Sequence, residues 1–206
     1  MTKDIIKEYG EVLHDPSYIT DVELAVIPVS PKIDIALGGG VPEGSLFIMT
    51  GPEKVGKTVT ALAFCANSQA LKRKVYYGNI EGRLRKRDLE GIIDLKIDPE
   101  ELEIIGSTQG NILCAEQYLG IFDNLIHTQP DCICVVDSFS ALSSESELTG
   151  DLTDTQVMSV QKVLAKFCRR ISNVLPINKV TVVGITHLMA NVSSFGRGKK
   201  KVEKSG

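Results

Sequence analysis

The stretch that most constrains this chain is Gly51-Pro52-Glu53-Lys54-Val55-Gly56-Lys57-Thr58, with Val59 following it. Its spacing of Gly51, Gly56, Lys57 and Thr58 is the full phosphate-binding loop pattern. An apolar run from Leu46 to Met49 precedes it and reads as a buried strand, and a helical pattern from Thr58 to Leu71 follows. The motif therefore has the strand, loop and helix context it requires. Backbone N–H groups of such a loop, with the positive end of the next helix, surround a β-phosphate. Lys57 would reach the β- and γ-phosphates as a compact point charge, which makes it a catalytic candidate as well as a binding one, and the Thr58 hydroxyl would ligate Mg²⁺. The competing reading, a glycine-rich turn that happens to end in Lys-Thr, does not account for the flanking periodicity.

The rest of the chain alternates between strand and helix periods. A short apolar helix is expected over Ile33 to Leu37, running into Gly38-Gly39-Gly40 and a Pro-Glu-Gly turn. Strands are expected over Val75 to Ile80, Leu102 to Ile105, Cys132 to Val136 and Lys179 to Ile185. Between them lie a short helix over Arg83 to Ile92 and a helix over Ile112 to Ile126. A polar loop over Ser143 to Thr153 leads to a long helix whose apolar face is Val157, Val160, Leu164, Phe167, Ile171 and Val174, with Thr153 and Gln156 placed as a capping box. Such alternation means a mainly parallel sheet covered by helices on both faces. Ligands then gather at the carboxyl ends of the strands.

Three candidates stand at those ends. A phosphate loop needs an acidic partner for Mg²⁺, and the run Ile133-Cys134-Val135-Val136 supplies it in Asp137; the other reading is an Asp that caps the following loop. Glu81, just after the strand Val75 to Ile80, is the candidate general base that orients or deprotonates the attacking water; it also reads as a helix N-terminal carboxylate. Thr186 and His187 close the last strand, where they would hydrogen-bond a γ-phosphate, or where His187 is a strand-end surface residue.

The 206 residues suit one core domain, and a net charge of −3 gives no global basic footprint for a polyanion, so nucleic acid would be met by a local patch. Five cysteines without framework spacing suit a reducing compartment, and Cys132 and Cys134 read as small hydrophobes within an apolar run. The first 15 residues hold no apolar core of signal-peptide length, and no apolar stretch approaches a membrane span. The cytoplasm is the default expectation. Residues 1–27 read as an N-terminal arm, either a protomer-docking segment or a frayed terminus; 28–190 as the core; and 191–206 as a basic flexible tail.

These residues resemble the RecA-type recombinases, and among them the divergent phage versions. The resemblance covers most of the chain. It is carried by IDIALGGGVPEGSLFIMTGPEKVGKT, by strand-end Glu81 at the family's catalytic glutamate, by CICVVDSFSAL as the Walker B strand, and by ELTGDLTDTQVM as a first DNA-binding loop entering a long helix. Thr186-His187 occupies the family's γ-phosphate sensor position, where glutamine is common in bacteria. The family's adenine-facing tyrosine falls near Arg87-Asp88. The resemblance implies a RecA-like P-loop NTPase core, an ATP- and Mg²⁺-dependent protein that polymerises on single-stranded DNA, exchanges strands with a homologous duplex, and hydrolyses ATP. It also implies that NVSSFGRGKKKVEKSG is a second DNA-binding loop, in which Arg197, Lys199, Lys200 and Lys201 would meet phosphates. On composition alone that tail is a solvated terminus. The family's further core strands and cross-subunit basic residues come after this point, so the strand Lys179 to Ile185 is expected to have an open neighbour position. Two other readings stay open: a RecA-fold helicase-type ATPase, and a nucleotide-binding regulator of a longer recombinase that does not turn over.

Overall fold

The computed structural model describes residues 12, 14, 16–20, 23–90, 96–150, 159–190 and 202–204. After a single turn, α1 (Ser17–Thr20), a two-residue strand β1 (Val26–Ile27) pairs antiparallel with β2 (Val41–Pro42). Between them α2 (Pro31–Leu37) starts on a proline, whose missing N–H costs nothing in a first turn, and ends on left-handed Gly38. The main sheet is built from β3 (Leu46–Gly51), β4 (Val75–Asn79), β5 (Leu102–Ile105), β6 (Ile133–Asp137) and β7 (Thr181–Ala190), all parallel, in the order β3-β7-β6-β4-β5. β8 (Val202–Lys204) pairs antiparallel with the outer end of β7. The expected RecA-like α/β core, a mainly parallel sheet with helices on both faces, is the observed architecture.

Strand periodicity sorts the core into two layers. Val75, Tyr77, Ile133, Val135, Val183 and Ile185 face α3 (Lys57–Ala70) and β1, where Ile27 is fully buried. Tyr76, Cys134, Val136 and Val182 face α5 (Ala115–Thr128), α7 (Ser159–Ile171) and α8 (Val174–Asn178). Side chains of the inner strands β4, β6 and β7 are buried on both faces, which is why their sequence reads as continuous apolar runs. Cys132 and Cys134 are buried within this core. Gly184 lets the two layers close: a Cβ there would overlap the Phe139 ring.

Several boundaries differ from the sequence reading, each for a physical reason. The polar stretch after β6 is not all loop: Ser144 Oγ accepts from the Glu147 amide and Glu147 returns to the Ser144 amide, a capping box that starts α6 (Glu145–Thr149). The amphipathic helix expected to run through Val174 stops at Ile171, because Pro176 has no N–H to continue the ladder. α8 begins instead at Val174, with Pro176 in its first turn. The helix expected over Arg83 to Ile92 is, among described residues, the single turn α4 (Lys86–Leu89). The proposed Thr153/Gln156 cap lies outside the described residues. β7 does not end at Thr186-His187 but runs on to Ala190.

The open-edge expectation for the last strand is overturned. β7 sits between β3 and β6, its residues Thr181 to His187 paired with one or both neighbours. The sheet edge falls instead on the phosphate-loop strand β3, where Leu46 and Ile48 are partly exposed. Among the described residues no helix is long and apolar enough to cross a membrane.

Candidate functional site

The strand tips converge because register places them side by side. Asn79 pairs with Asp137, and Gly51 pairs with His187, so the loop, the acidic strand end and the histidine lie at one level. The loop between β3 and α3 is shaped by two left-handed residues, Lys54 (φ 62) and Gly56 (φ 93), and Gly56 is also the N-cap of α3. Lys57 Nζ donates to the carbonyls of Gly51 (2.8 Å) and Pro52 (2.6 Å), which fixes it across the mouth of the loop. Glu53, Lys54, Gly56, Thr58 and Val59 line the same cleft; Gly51 is buried beneath it and Val55 is exposed.

On the floor of the cleft, Thr58 Oγ1 donates to Asp137 Oδ2 at 2.9 Å and Tyr77 Oη donates to the same oxygen at 2.7 Å. Burial raises the Asp137 carboxyl above its ordinary value. The Tyr77 and Thr58 hydroxyls offset part of that rise, the nearby Glu81 charge adds to it, and His187 opposes it. Burial, reinforced by the Asp137 charge, pushes Tyr77 well up, so it stays a neutral donor. A hydroxyl and a carboxylate beside a phosphate loop form a hard-oxygen set suited to Mg²⁺, which keeps several waters and takes its remaining ligands from phosphate. Among the described residues no group of three or more His, Cys, Asp or Glu is placed to hold a metal ion, and Mg²⁺ bound in this way needs none.

The neighbouring carboxylate has the opposite environment. Past β4 the amides of Ile80 (3.0 Å) and Glu81 (3.3 Å) both donate to the Asp137 carbonyl, which curls the chain towards β6 and aims Glu81 across it. Glu81 Oε1 accepts from Ser138 Oγ at 2.6 Å and from His187 Nε2 at 2.8 Å, and Arg83 Nη1 lies 2.9 Å from Oε2. Burial alone would raise this carboxyl, but the Ser138 and His187 hydrogen bonds and the Arg83 charge outweigh it and hold Glu81 below its ordinary value. His187 is therefore not a surface residue: its side chain is 18% exposed and its amide donates to Ser140 Oγ at 2.9 Å. Thr186 turns away from the cleft mouth and shares a 2.8 Å hydrogen bond with Thr50 on β3.

The structure thus brings Lys57, Thr58, Asp137, Glu81 and His187 to one cleft. Arg197, Lys199, Lys200 and Lys201 lie outside the described residues. Sequence reasoning missed Tyr77, Ser138, Ser140 and Arg83, since their parts come from strand register and turn geometry. For Ser138 the adjacent Asp137 was a usable signal.

Fold and cleft together define a RecA-like α/β core with a phosphate loop facing two strand-tip carboxylates. Residues 3–198 match the RecA N-terminal domain, and the chain belongs to that family. It is 30% identical over 187 residues to Protein RecA of Desulfovibrio desulfuricans, covering 90% of this chain and 50% of that protein. Against Protein RecA of Acidothermus cellulolyticus the figures are 31% over 179 residues, 82% and 48%. The DNA repair protein recA homolog 3, mitochondrial, of Arabidopsis thaliana is 29% identical over 170 residues, 80% of this chain and 36% of that protein. The chain spans about half the length, or less, of these curated relatives.

Proposed function

We propose that this chain binds ATP with Mg²⁺ and acts, as a single-stranded-DNA-dependent ATPase, in homologous pairing and strand exchange with duplex DNA during recombination and repair. The observation that carries the reading is the convergence of the Lys57 loop, the Thr58–Asp137 pair and the Glu81–His187 pair at one cleft, in a chain of the RecA N-terminal domain family. In this reading the loop amides and Lys57 bind the phosphates. Thr58 and Asp137 would hold Mg²⁺, partly through water, and the ion would supply positive charge against the phosphoryl oxygens. Tyr77 keeps Asp137 oriented towards it. Glu81 accepts a hydrogen bond from the attacking water, and its low proton affinity makes it a better orienter of that water than a strong base. His187, tied to Glu81, responds to the γ-phosphate.

Self-association into filaments, and phosphate contacts by Arg197, Lys199, Lys200 and Lys201, belong to the same proposal. They are supported by family membership and by the basic composition of that stretch. A binding-only regulator is favoured by one observation, the occupation of both Glu81 oxygens by side-chain donors. ATP turnover with and without single-stranded DNA decides between them: the leading reading expects stimulation by DNA, and tight ATP binding with no turnover under either condition would establish the regulator.

A further inference from the structure

Arg83 is a cation the motif reading does not use. It sits two residues beyond Glu81, after a turn in which left-handed Gly82 (φ 63) donates to the Asn79 carbonyl at 3.2 Å. That turn holds it at the lip of the phosphate-loop cleft, which it lines, and of the adjoining hollow formed with Ser140 and Leu188. Its side chain is 73% exposed, and its partner is one oxygen of Glu81. The Glu81 side of the pair is only 13% exposed, but the guanidinium itself is largely in water, so leaving the carboxylate costs it little and a stronger anion can draw it away. Charge makes the same point: among the described residues four carboxylates and three cations line the cleft, and without Arg83 the described cations facing a triphosphate would be Lys54 and Lys57.

Resting on the reading of this cleft as a triphosphate site, we propose that Arg83 is a positioning residue that exchanges Glu81 for the terminal phosphoryl group of the bound nucleotide. A phosphoryl group offers more negative charge than a carboxylate and a bidentate match to the guanidinium fork. The exchange has a consequence for Glu81. Its Oε1 stays held by Ser138 and His187, which fixes the carboxylate in place, while Oε2 becomes free to accept from water. A diphosphate has no terminal group to draw Arg83 away, so Arg83 stays on Glu81. The device couples the presence of the third phosphate to the availability of the carboxylate that faces water, and it does so within one chain.

The test compares binding of a fluorescent non-hydrolysable ATP analogue and of the matching diphosphate, both with Mg²⁺, to the wild-type chain, Arg83→Ala and Arg83→Lys. With this side chain so exposed, both variants keep the fold, which circular dichroism checks. Loss of one exposed charge-assisted contact predicts that Arg83→Ala weakens the triphosphate about tenfold and changes the diphosphate by less than about twofold. Arg83→Lys, which keeps the charge and loses the fork, falls between. Wild-type binding with both nucleotides weakened equally in Arg83→Ala, or neither weakened, would overturn the inference and leave the cleft assignment standing. A wild-type chain that binds neither nucleotide would overturn the cleft assignment, and the inference with it.

Discussion

Asp137 and Glu81 stand on adjacent strand tips of one sheet, yet their surroundings push their protonation in opposite directions. Asp137 is half-buried at the end of β6 with two neutral hydroxyl donors, and desolvation wins: its carboxyl is raised. Glu81 is nearer the solvent, with a hydroxyl, an imidazole and a guanidinium around it, and the donors win: its carboxyl is lowered. Two carboxylates with divergent environments are the usual sign of two roles. A desolvated, under-compensated carboxylate is poised for a cation, and a carboxylate ringed by hydrogen-bond donors is poised to stay ionised and accept further hydrogen bonds.

The largest effect should come from removing Glu81, the group proposed to face the attacking water. Glu81→Gln keeps the shape, still accepts from Ser138, and loses its charge; turnover should fall by about 10²–10⁴-fold with nucleotide affinity nearly unchanged, measured by phosphate release and by binding. Next is Lys57→Ala, which removes the point charge while the loop keeps its backbone; triphosphate binding should weaken by about 2–5 kcal/mol, read by calorimetry. If affinity were unchanged, the phosphate loop would not be the phosphate site.

Asp137→Asn should act in the opposite sense on stability. It removes a half-buried, desolvated charge while leaving an oxygen to accept from Tyr77 and Thr58, so the protein without nucleotide should gain about 1 kcal/mol, or a midpoint about 2–4 °C higher. The two carboxylates also differ in the sign of their pH dependence. Because the folded state raises the Asp137 pKa, this group's contribution declines as pH rises from the ordinary carboxylate value, about 4, through its raised value. Asp137→Asn should therefore be stabilising at neutral pH, with the gain vanishing in acid. Glu81 is lowered, so its contacts stabilise above the ordinary value and the contribution is lost as pH falls through the folded value. Glu81→Gln should cost stability at neutral pH and nothing in acid. Denaturant midpoints of both variants from pH 3 to 7 check the crossing.

What the sequence made legible was whatever is encoded contiguously. The phosphate loop is a fixed spacing, and Asp137 closes an apolar run that can only be an interior strand. Glu81 could be placed just past a strand end by alternation alone, whereas His187, expected to close its strand, lies within β7, which runs on to Ala190. Their neighbours could not be placed in this way. Tyr77 reaches Asp137, and Ser138 reaches Glu81, only because β4 lies beside β6 in one register, and strand order is a property of the whole sheet. The same limit produced the edge error: being last in sequence says nothing about being last in the sheet, and β7 lies between β3 and β6. Pro176 and the Ser144/Glu147 box were readable in principle, but the longer hydrophobic period masked the first and the polar composition masked the second.

If the two carboxylates divide the labour, the Mg²⁺ dependence of triphosphate affinity separates them. Titrating Mg²⁺ against a fluorescent non-hydrolysable ATP analogue in wild type, Asp137→Asn and Glu81→Gln should show Mg²⁺ strengthening binding in the wild type and in Glu81→Gln, and losing most of that effect in Asp137→Asn. An equal loss in both variants, or a loss confined to Glu81→Gln, would show that the two carboxylates do not divide Mg²⁺ binding and water orientation between them.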